Sequence, residues 1–209
     1  MKVIVIVGPT GIGKTDLSIK IAKELNGEII SGDSVQVYKE MNIGSAKITE
    51  EEMKGVKHHL IDFLEIGDEY SVARFQKEVR QKIQEITEKG KTPIICGGTG
   101  FYIKAALTKY EFEENLGRDD FIIKYEKFTN EELHNQLKKV DISSAEIFHF
   151  NNRVRVIRAL EYFEKSGKMI SERKSSDISL YDYAIIGLTM NRDSLYERIN
   201  KSVDLMIST

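Results

Sequence analysis

Residues 1–18 read MKVIVIVGPTGIGKTDLS, in which a short apolar run leads directly into a glycine-rich loop. Four residues stand at the fixed positions of the pattern G-x-x-x-x-G-K-[ST]: Gly8, Gly13, Lys14 and Thr15. In such a loop the backbone N–H groups surround a phosphate, the lysine reaches the outer phosphates, and the hydroxyl holds Mg²⁺. Apolar residues at helical spacing follow, so a helix N-terminus is predicted to face the anion. These residues therefore predict a phosphate site, but they do not specify the reaction.

The first half of the chain alternates strand and helix patterns. A short strand pattern ends on Asp33, an amphipathic helix pattern spans residues 72–86, and a further apolar strand runs into the string GGTG at 97–100. This order predicts an α/β fold, a P-loop core with a parallel β-sheet flanked by helices. Ligands of such sheets gather at the carboxyl ends of the strands. The loop at 8–15, Asp33 and the GGTG string are therefore expected to share one cleft.

From residue 110 the pattern changes to an acidic stretch followed by helices. Capping signals at Thr129 and Ser143 predict two helix starts, and a longer helix is predicted over residues 151–165. The predicted organisation has three parts: 1–109 as the first part of the core, 110–150 as a small helical insertion, and 151–209 as the return to the core.

Composition limits the class of protein. The chain has 209 residues, of which 41% are hydrophobic and 31% charged, as in a soluble globular protein. No apolar run approaches the length of a membrane span, and the single cysteine, Cys96, excludes an internal disulfide and is predicted to be a buried core thiol. A cytoplasmic protein without a membrane partner is expected. Net charge is −2, but residues 151–174 carry seven basic and three acidic side chains, which predicts a basic face.

Asp33 is the carboxylate best placed beside the loop. A P-loop NTPase carries an acid after an apolar strand to orient Mg²⁺ and water, but here the strand before residue 97 ends in two glycines. As a functional group, Asp33 would be a general base for a nucleophile. As a structural group, it would cap a turn in the stretch SGDS. The residues alone leave both roles open.

Six blocks occur in a recognisable order: GPTGIGKT at 8–15, DSVQVY at 33–38, GSAK at 44–47, VKHHLID at 56–62, GGTGFY at 97–102 and RVIRALE at 155–161. Together they closely resemble the tRNA dimethylallyltransferase family, also called tRNA isopentenyltransferases, over essentially the whole chain. The P-loop is shared with many proteins, whereas the DSxQVY and GGTGxY blocks are specific.

The resemblance implies that the loop binds dimethylallyl diphosphate instead of a nucleotide. The implied diphosphate site is the whole loop: Gly8, Pro9, Thr10, Gly11, Ile12, Gly13, Lys14 and Thr15. The implied catalytic residues are Asp33, Lys14, Thr15 and Thr10. Lys14 and Mg²⁺ on Thr15 would stabilise the leaving diphosphate, and Asp33 would accept the proton of the attacking amine. An alkyl transfer needs no acid to activate water, which accounts for the missing NTPase acid.

The implied acceptor is the exocyclic amine of an adenosine beside the anticodon, in the anticodon stem-loop of a tRNA. A stacked base does not reach the cleft, so it would be flipped out. Residues of three blocks would hold the flipped base and its neighbours: Asp33, Ser34, Val35, Gln36, Thr99, Arg155 and Arg158. The insertion corresponds to the family's RNA-clamping subdomain, His58 matches a family histidine near the active site, and the family suggests a monomer.

The sequence departs from the family at four points. Ile122 stands where members commonly carry an arginine that touches RNA, and Asn152 replaces an acid at the entry to the arginine helix. Ser202 replaces the second arginine of the family pattern R-I-x-x-R, so a cation for the diphosphate is missing unless Lys201 supplies it. The family continues through further helices beyond Thr209, so its C-terminal part is expected to be absent.

Three other functions remain open at this point. An adenylate isopentenyltransferase would use the same core on free AMP, although the insertion and the basic segment favour RNA. A P-loop small-molecule kinase also opens with this loop but needs an arginine-rich lid. A non-catalytic remnant that binds RNA or a nucleotide is suggested by Ser202 and by the early end of the chain.

Overall fold

The chain divides into two compact units, residues 1–110 together with 176–209, and residues 111–175. The computed structural model describes residues 1–110, 112, 119–172 and 178–208, with the backbone alone at 119–122. Ile122 and Thr209 therefore lie outside the residues whose side chains are described. Each unit has its own apolar core.

A parallel sheet forms the centre of the first unit. Its strands in the described residues are β1 (Lys2–Val7), β2 (Gly27–Ser31), β3 (His58–His59), β4 (Thr92–Gly97) and β5 (Asp182–Gly187). They lie in the order β3-β2-β4-β1-β5, and every pairing is parallel. The carboxyl ends of β1, β2 and β4 therefore lie side by side, at the edge where such sheets bind ligands.

The described helices follow in chain order: α1 (Lys14–Glu24), α2 (Glu50–Met53), α3 (Val72–Glu88), α4 (Gly100–Leu107), α5 (Asp119–Glu126), α6 (Asn130–Val140), α7 (Ile142–Ile147), α8 (Arg153–Ser166) and α9 (Arg192–Ser208). The first unit contains α1 to α4 and α9, and the second contains α5 to α8. None of these helices is long and apolar enough to cross a bilayer, over the part of the chain that the structure describes.

Helices cover both faces of the sheet because its strands are apolar on both sides. Neighbouring residues of a strand point to opposite faces. Val5 and Ile95 pack in a core with α3 and α4, whereas Ile6 and Ile94 pack in a core with α1. Burial of both faces is typical of all-parallel sheets. The predicted fold class, a P-loop core with a parallel sheet flanked by helices, is confirmed.

The second unit is a helical cluster that includes α8. Val156 and Leu160 of α8 share a core with Leu133 and Leu137 of α6. The structure therefore differs from the sequence-based boundary, which assigned residues 151–209 to the return to the core. The reason is physical, since the apolar face of α8 is buried among the helices of the second unit.

Side chains at the helix starts set the local boundaries of the second unit. Thr129 and Glu132 form the predicted capping box of α6. Asp141, and not Ser143, is the N-cap of α7, and its carboxylate accepts a hydrogen bond from Ser144 N at 3.0 Å. Asp141 is only 1% exposed and also accepts from Ser171 N at 3.0 Å, so a buried carboxylate with several donors decides this helix start.

Candidate functional site

The glycine-rich loop has the conformation that a phosphate site requires. Gly11 and Gly13 have φ of 78° and 96°, in the left-handed region that glycine adopts without strain. Gly13 is the N-cap of α1, so the positive end of this helix faces the loop. Lys14 Nζ donates to the carbonyl oxygens of Gly8 (2.9 Å) and Pro9 (2.8 Å), which keeps the ammonium beside the loop backbone.

One pocket in the first unit brings together residues that follow three different strands. Its lining includes the loop, the segment after β2 and the end of β4: Thr10, Gly11, Lys14, Thr15, Asp33, Gln36 and Gly97. These positions come from the loop, the DSxQVY block and the GGTG string, which the sequence expected to share a cleft. The rest of the wall includes Ile48, His58, Ile61 and Cys96.

Asp33 has the structural role that the sequence left open. Its Oδ1 accepts hydrogen bonds from Val35 N at 2.8 Å and Gln36 N at 3.3 Å, which closes a turn after β2. Its Oδ2 has no hydrogen bond to any of the described residues. One carboxylate oxygen thus fixes the turn, and the other remains available to a substrate.

Two side chains hold the GSAK segment against this turn, a role that the sequence did not reveal. Gln36 Nε2 donates to the carbonyl oxygens of Ser45 (3.1 Å) and Ala46 (3.3 Å). Lys47 is buried, with its side chain 6% exposed, and its Nζ pairs with Asp62 Oδ1 at 2.6 Å. Because these partners are 9 and 15 positions apart in the sequence, local sequence patterns do not predict the contacts.

Burial shifts the pKa values of two pocket residues, Lys14 and Cys96. It lowers the pKa of the Lys14 ammonium, although the nearby Cys96 and Asp33 act in the opposite direction. Burial also raises the pKa of the Cys96 thiol, against a hydrogen bond with Ser18 and the charge of Lys14. Cys96 is therefore a neutral thiol at physiological pH. It lines the pocket, so it is more accessible than the buried core thiol that the sequence predicted.

His58 lines the pocket and contains a buried, unsatisfied acceptor. Its Nδ1 lies 2.9 Å from the carbonyl oxygen of Val56, so this nitrogen carries the proton and donates. Burial lowers the pKa of the imidazole, which leaves Nε2 as a neutral acceptor. Nε2 is buried without a hydrogen-bond partner among the described residues. The sequence signalled His58 only through the VKHHLID block.

The end of the chain returns to the loop through β5 and α9. A Cβ on Gly8 would lie 3.0 Å from the carbonyl oxygen of Leu188, and one on Gly11 would lie 3.2 Å from Ile199 Cγ1. Arg198 Nη2 lies 3.7 Å from the position that a Cβ on Gly13 would take. The first half of α9 therefore packs on the glycines of the loop.

The remaining predicted site residues lie outside the pocket lining. Thr99 is the N-cap of α4, but its hydroxyl makes no capping hydrogen bond. Ser34 and Val35 lie in the turn that Asp33 closes, with Val35 39% exposed. Arg155 and Arg158 are exposed on α8, in the second unit.

The departure at Asn152 leaves the start of α8 intact. Asn152 is the N-cap and makes no side-chain capping bond. Its carbonyl oxygen accepts from Arg155 N at 3.0 Å and from Val156 N at 3.1 Å, so the backbone begins the helix by itself.

The pocket offers oxygen donors that suit Mg²⁺ held mainly by a substrate. The described residues contain no group of three His, Cys, Asp or Glu side chains that would form a metal site of their own. Thr15 and Asp33, whose side chains end in oxygen, both line the pocket. Mg²⁺ prefers such hard oxygen ligands and commonly takes the others from phosphates and water.

The loop, the parallel sheet and the pocket at its carboxyl edge define a P-loop α/β protein with a phosphate site beside a carboxylate. Comparison with known proteins adds the family. The sequence profile of the IPP transferase family matches residues 36–209. A curated tRNA dimethylallyltransferase from Bacillus cytotoxicus is 51% identical, over 99% of this chain and 67% of the relative. The chain belongs to the IPP transferase family, as the six sequence blocks predicted, and spans about two thirds of the length of this relative.

Two solved structures are also similar over nearly the whole chain. The tRNA delta(2)-isopentenylpyrophosphate transferase of Staphylococcus epidermidis is 47% identical with a TM-score of 0.66, covering 99% of this chain and 69% of that one. A eukaryotic dimethylallyltransferase, captured while acting on tRNA, is 34% identical with a TM-score of 0.85, covering 99% of this chain and 53% of that one.

Proposed function

We propose that this protein transfers the dimethylallyl group of dimethylallyl diphosphate to the exocyclic amine of an adenosine next to the anticodon of a tRNA. The observation that carries the proposal is the meeting of Lys14, Thr15 and Asp33 in one pocket. Such a pocket offers a cation to a leaving group and a base to a nucleophile. The relative from Bacillus cytotoxicus is named a tRNA dimethylallyltransferase, which fits the group transferred and the class of acceptor.

The loop is suited to hold diphosphate as a leaving group. Negative charge builds on the diphosphate as its oxygen separates from the allylic carbon. Lys14, the loop amides and the N-terminus of α1 stabilise that charge, and Thr10 and Thr15 line the same pocket. The Thr15 hydroxyl would hold Mg²⁺, which would supply additional positive charge at the leaving group.

Asp33 is suited to act as the base. The amine nitrogen forms a bond to the allylic carbon while the carbon–oxygen bond to diphosphate breaks, and the nitrogen then loses one proton. Oδ1 of Asp33 is held by the turn, so Oδ2 accepts the proton. The turn fixes the carboxylate in place before the substrate arrives, which lowers the cost of positioning it.

Close packing at the end of β4 argues against phosphoryl transfer of the NTPase type. A Cβ on Gly97 would lie 2.6 Å from the carbonyl carbon and oxygen of Gly32, so no side chain fits there. Strand β4 therefore does not present, at this position, the acid with which P-loop NTPases orient Mg²⁺ and water. An alkyl transfer does not need that acid.

Exposed side chains are available for the RNA acceptor. Ser34, Val35 and Thr99 would hold the flipped base, and Arg155 with Arg158 would contact the RNA backbone. The second unit would act as the RNA clamp. We expect a monomer and, because the acceptor is a tRNA, action in the cytoplasm.

A competition experiment separates this function from its alternatives. The protein is incubated with dimethylallyl diphosphate, Mg²⁺ and equal concentrations of an anticodon stem-loop and AMP, and in parallel with γ-labelled ATP. We expect prenylated adenosine in the stem-loop. Product on AMP alone would favour an adenylate isopentenyltransferase, and label transfer from ATP without any prenyl transfer would favour a kinase. Diphosphate binding without any product would favour a non-catalytic remnant.

A further inference from the structure

One face of α9 packs inward, towards the phosphate loop. Half-buried residues repeat at helical spacing along it: Leu195, Ile199, Ser202 and Met206. Ile199 lies against Gly11, and Arg198 lies beside Gly13. Because residues three and four apart share a helix face, Ser202 lies on the same side of α9 as Arg198 and Ile199.

Lys201 is three positions after Arg198, so the two residues are neighbours on α9. However, Lys201 is two positions after Ile199, which at about 100° per residue turns it roughly 200° away from the loop-facing direction. Lys201 is also exposed. Arg198 is exposed as well, but it is one position before Ile199 and only about 100° from that direction, so it is turned more towards the loop than Lys201.

Arg198 is the cation of α9 that lies next to the loop. Its guanidinium has no hydrogen bond or ion pair with any of the described residues, although its Nη2 is 3.7 Å from the Cβ position of Gly13. Arg192 of the same helix is engaged, since its Nε and Nη2 lie 3.0 Å and 2.8 Å from Tyr196 Oη. A guanidinium that pairs with none of the described residues, beside a phosphate loop, is poised for an anion.

We propose that Arg198 binds the diphosphate of the substrate and supplies the loop with the cation that Ser202 cannot provide. This inference rests on the proposed function for the identity of the substrate. A guanidinium donates two parallel hydrogen bonds to phosphate oxygens. Because negative charge grows on the diphosphate as the carbon–oxygen bond breaks, Arg198 stabilises the transition state more than the bound substrate.

Binding of inorganic diphosphate in the presence of Mg²⁺, measured by titration calorimetry, tests the proposal. Arg198→Ala is expected to weaken binding about 10- to 100-fold, the range for hydrogen bonds to charged groups. Lys201→Ala and Arg192→Ala are matched controls on the same helix. Each is expected to change the affinity less than about twofold, because Lys201 is turned further from the loop and the Arg192 guanidinium is held by Tyr196. Arg198→Lys keeps the charge and should fall between Arg198→Ala and the unmodified chain.

A rescue variant separates a binding role from a structural one. Arg198→Ala combined with Ser202→Arg returns a guanidinium to the same face, one turn further along, and should recover part of the affinity. Urea unfolding of Arg198→Ala should match the unmodified protein. The proposal is overturned if Arg198→Ala binds diphosphate normally, or if the Lys201 and Arg192 controls lose as much affinity as Arg198→Ala.

The binding assay contains neither a prenyl group nor RNA, so the two proposals fail separately. Loss of diphosphate binding in Arg198→Ala, with no prenyl transfer by any variant, would support Arg198 and overturn the proposed function. Normal diphosphate binding by Arg198→Ala in a protein that prenylates the stem-loop would overturn the role of Arg198 alone.

Discussion

Asp33 has a structural role at one carboxylate oxygen, and the proposed function gives the other oxygen the role of a base. Oδ1 accepts from the backbone of Val35 and Gln36, while Oδ2 has no bond to the described residues. A turn and a base are therefore compatible in one side chain. A substitution that keeps the turn but removes the base tests the second role without disturbing the first.

Asp33→Asn is such a substitution. The amide oxygen of asparagine still accepts both backbone hydrogen bonds, but asparagine accepts no proton. We expect single-turnover prenyl transfer to fall about 10²- to 10⁴-fold, the usual contribution of a general base. The free energy of unfolding in urea should change by less than about 0.5 kcal/mol.

Asp33→Ala is the matched comparison for this residue. It should lose transfer to the same extent and also destabilise the fold by about 1 kcal/mol, because the turn loses its acceptor. A normal transfer rate in Asp33→Asn would contradict the role of Asp33 as the base.

Residues whose positions follow from local spacing were predictable from the sequence. The loop, Asp33 and Gly97 lie at the carboxyl ends of three strands, and topology brings them to one pocket. His58 and Lys47 were not predictable in this detail, because their roles depend on the burial of single atoms and on a partner, Asp62, that is distant in sequence. Tertiary packing decides such contacts.

At the scale of elements, a buried carboxylate on β2 links this strand to β3, the strand at the edge of the sheet. Glu28 of β2 is 2% exposed, and its carboxylate lies 2.7 Å from both His59 Nε2 of β3 and Lys91 Nζ. Burial raises the pKa of the Glu28 carboxyl, but hydrogen bonds from Lys91 and His59 outweigh it and lower the pKa to about 2. Burial lowers the pKa of His59, against its bond to Glu28.

Glu28→Gln should destabilise the protein by about 1–3 kcal/mol at pH 7, because the buried pair loses its charge. The folded pKa of Glu28 lies below its ordinary value of 4.5, so its contribution is complete above pH 4.5 and is lost as the pH falls towards 2. The difference between Glu28→Gln and the unmodified chain should therefore shrink on acidification.

Urea unfolding at a series of pH values from 7 downwards measures this difference. Glu24→Gln, a change of an exposed carboxylate at the end of α1, is the control and should have little effect. An equal loss of stability for Glu28→Gln at pH 7 and at pH 3 would refute the proposed ionic contribution.

Helices with a clear apolar periodicity or a capping motif were predictable from the sequence, but the residues that they contact in the fold were not. The apolar stripe of α3 and the Thr129 capping box are both local patterns, and both are present. The start of α7 depends on Asp141, whose donors include Ser171, thirty positions away. The sequence also did not predict which unit buries the apolar face of α8, because these apolar residues would suit the core of either unit.

At the scale of the whole molecule, α8 contains two kinds of arginine. Arg153 is tied into the second unit, since it donates to the carbonyl oxygens of Phe128 at 2.8 Å and Tyr125 at 2.7 Å. Arg155 and Arg158 are exposed, and Arg155 lies over the ring of Phe148, 6.0 Å from its centroid. The same helix thus offers a test of RNA binding with an internal control.

The double variant Arg155→Ala with Arg158→Ala should bind the anticodon stem-loop more weakly than the unmodified protein does. The unfolding transition of the protein should not change. If each arginine neutralises one phosphate of single-stranded RNA, the slope of log affinity against log salt should fall by about 1.4. Binding of inorganic diphosphate should not change. Filter binding at several salt concentrations gives the slope.

Arg153→Ala should show the opposite pattern. It should destabilise the second unit by about 2 kcal/mol or more, because several carbonyl acceptors lose a charged donor. An unchanged salt slope in the double variant would argue against RNA contact through this face of α8.

If the P-loop of this chain holds a leaving group, the bond broken in the reaction is carbon–oxygen and not phosphorus–oxygen. Dimethylallyl diphosphate labelled with ¹⁸O at the bridging position tests it directly, with the anticodon stem-loop as the acceptor. Mass spectrometry of the products should find the label in the released diphosphate and the five-carbon group on the adenosine amine. Label retained with the five-carbon fragment, or phosphate transferred to the acceptor, would contradict the account.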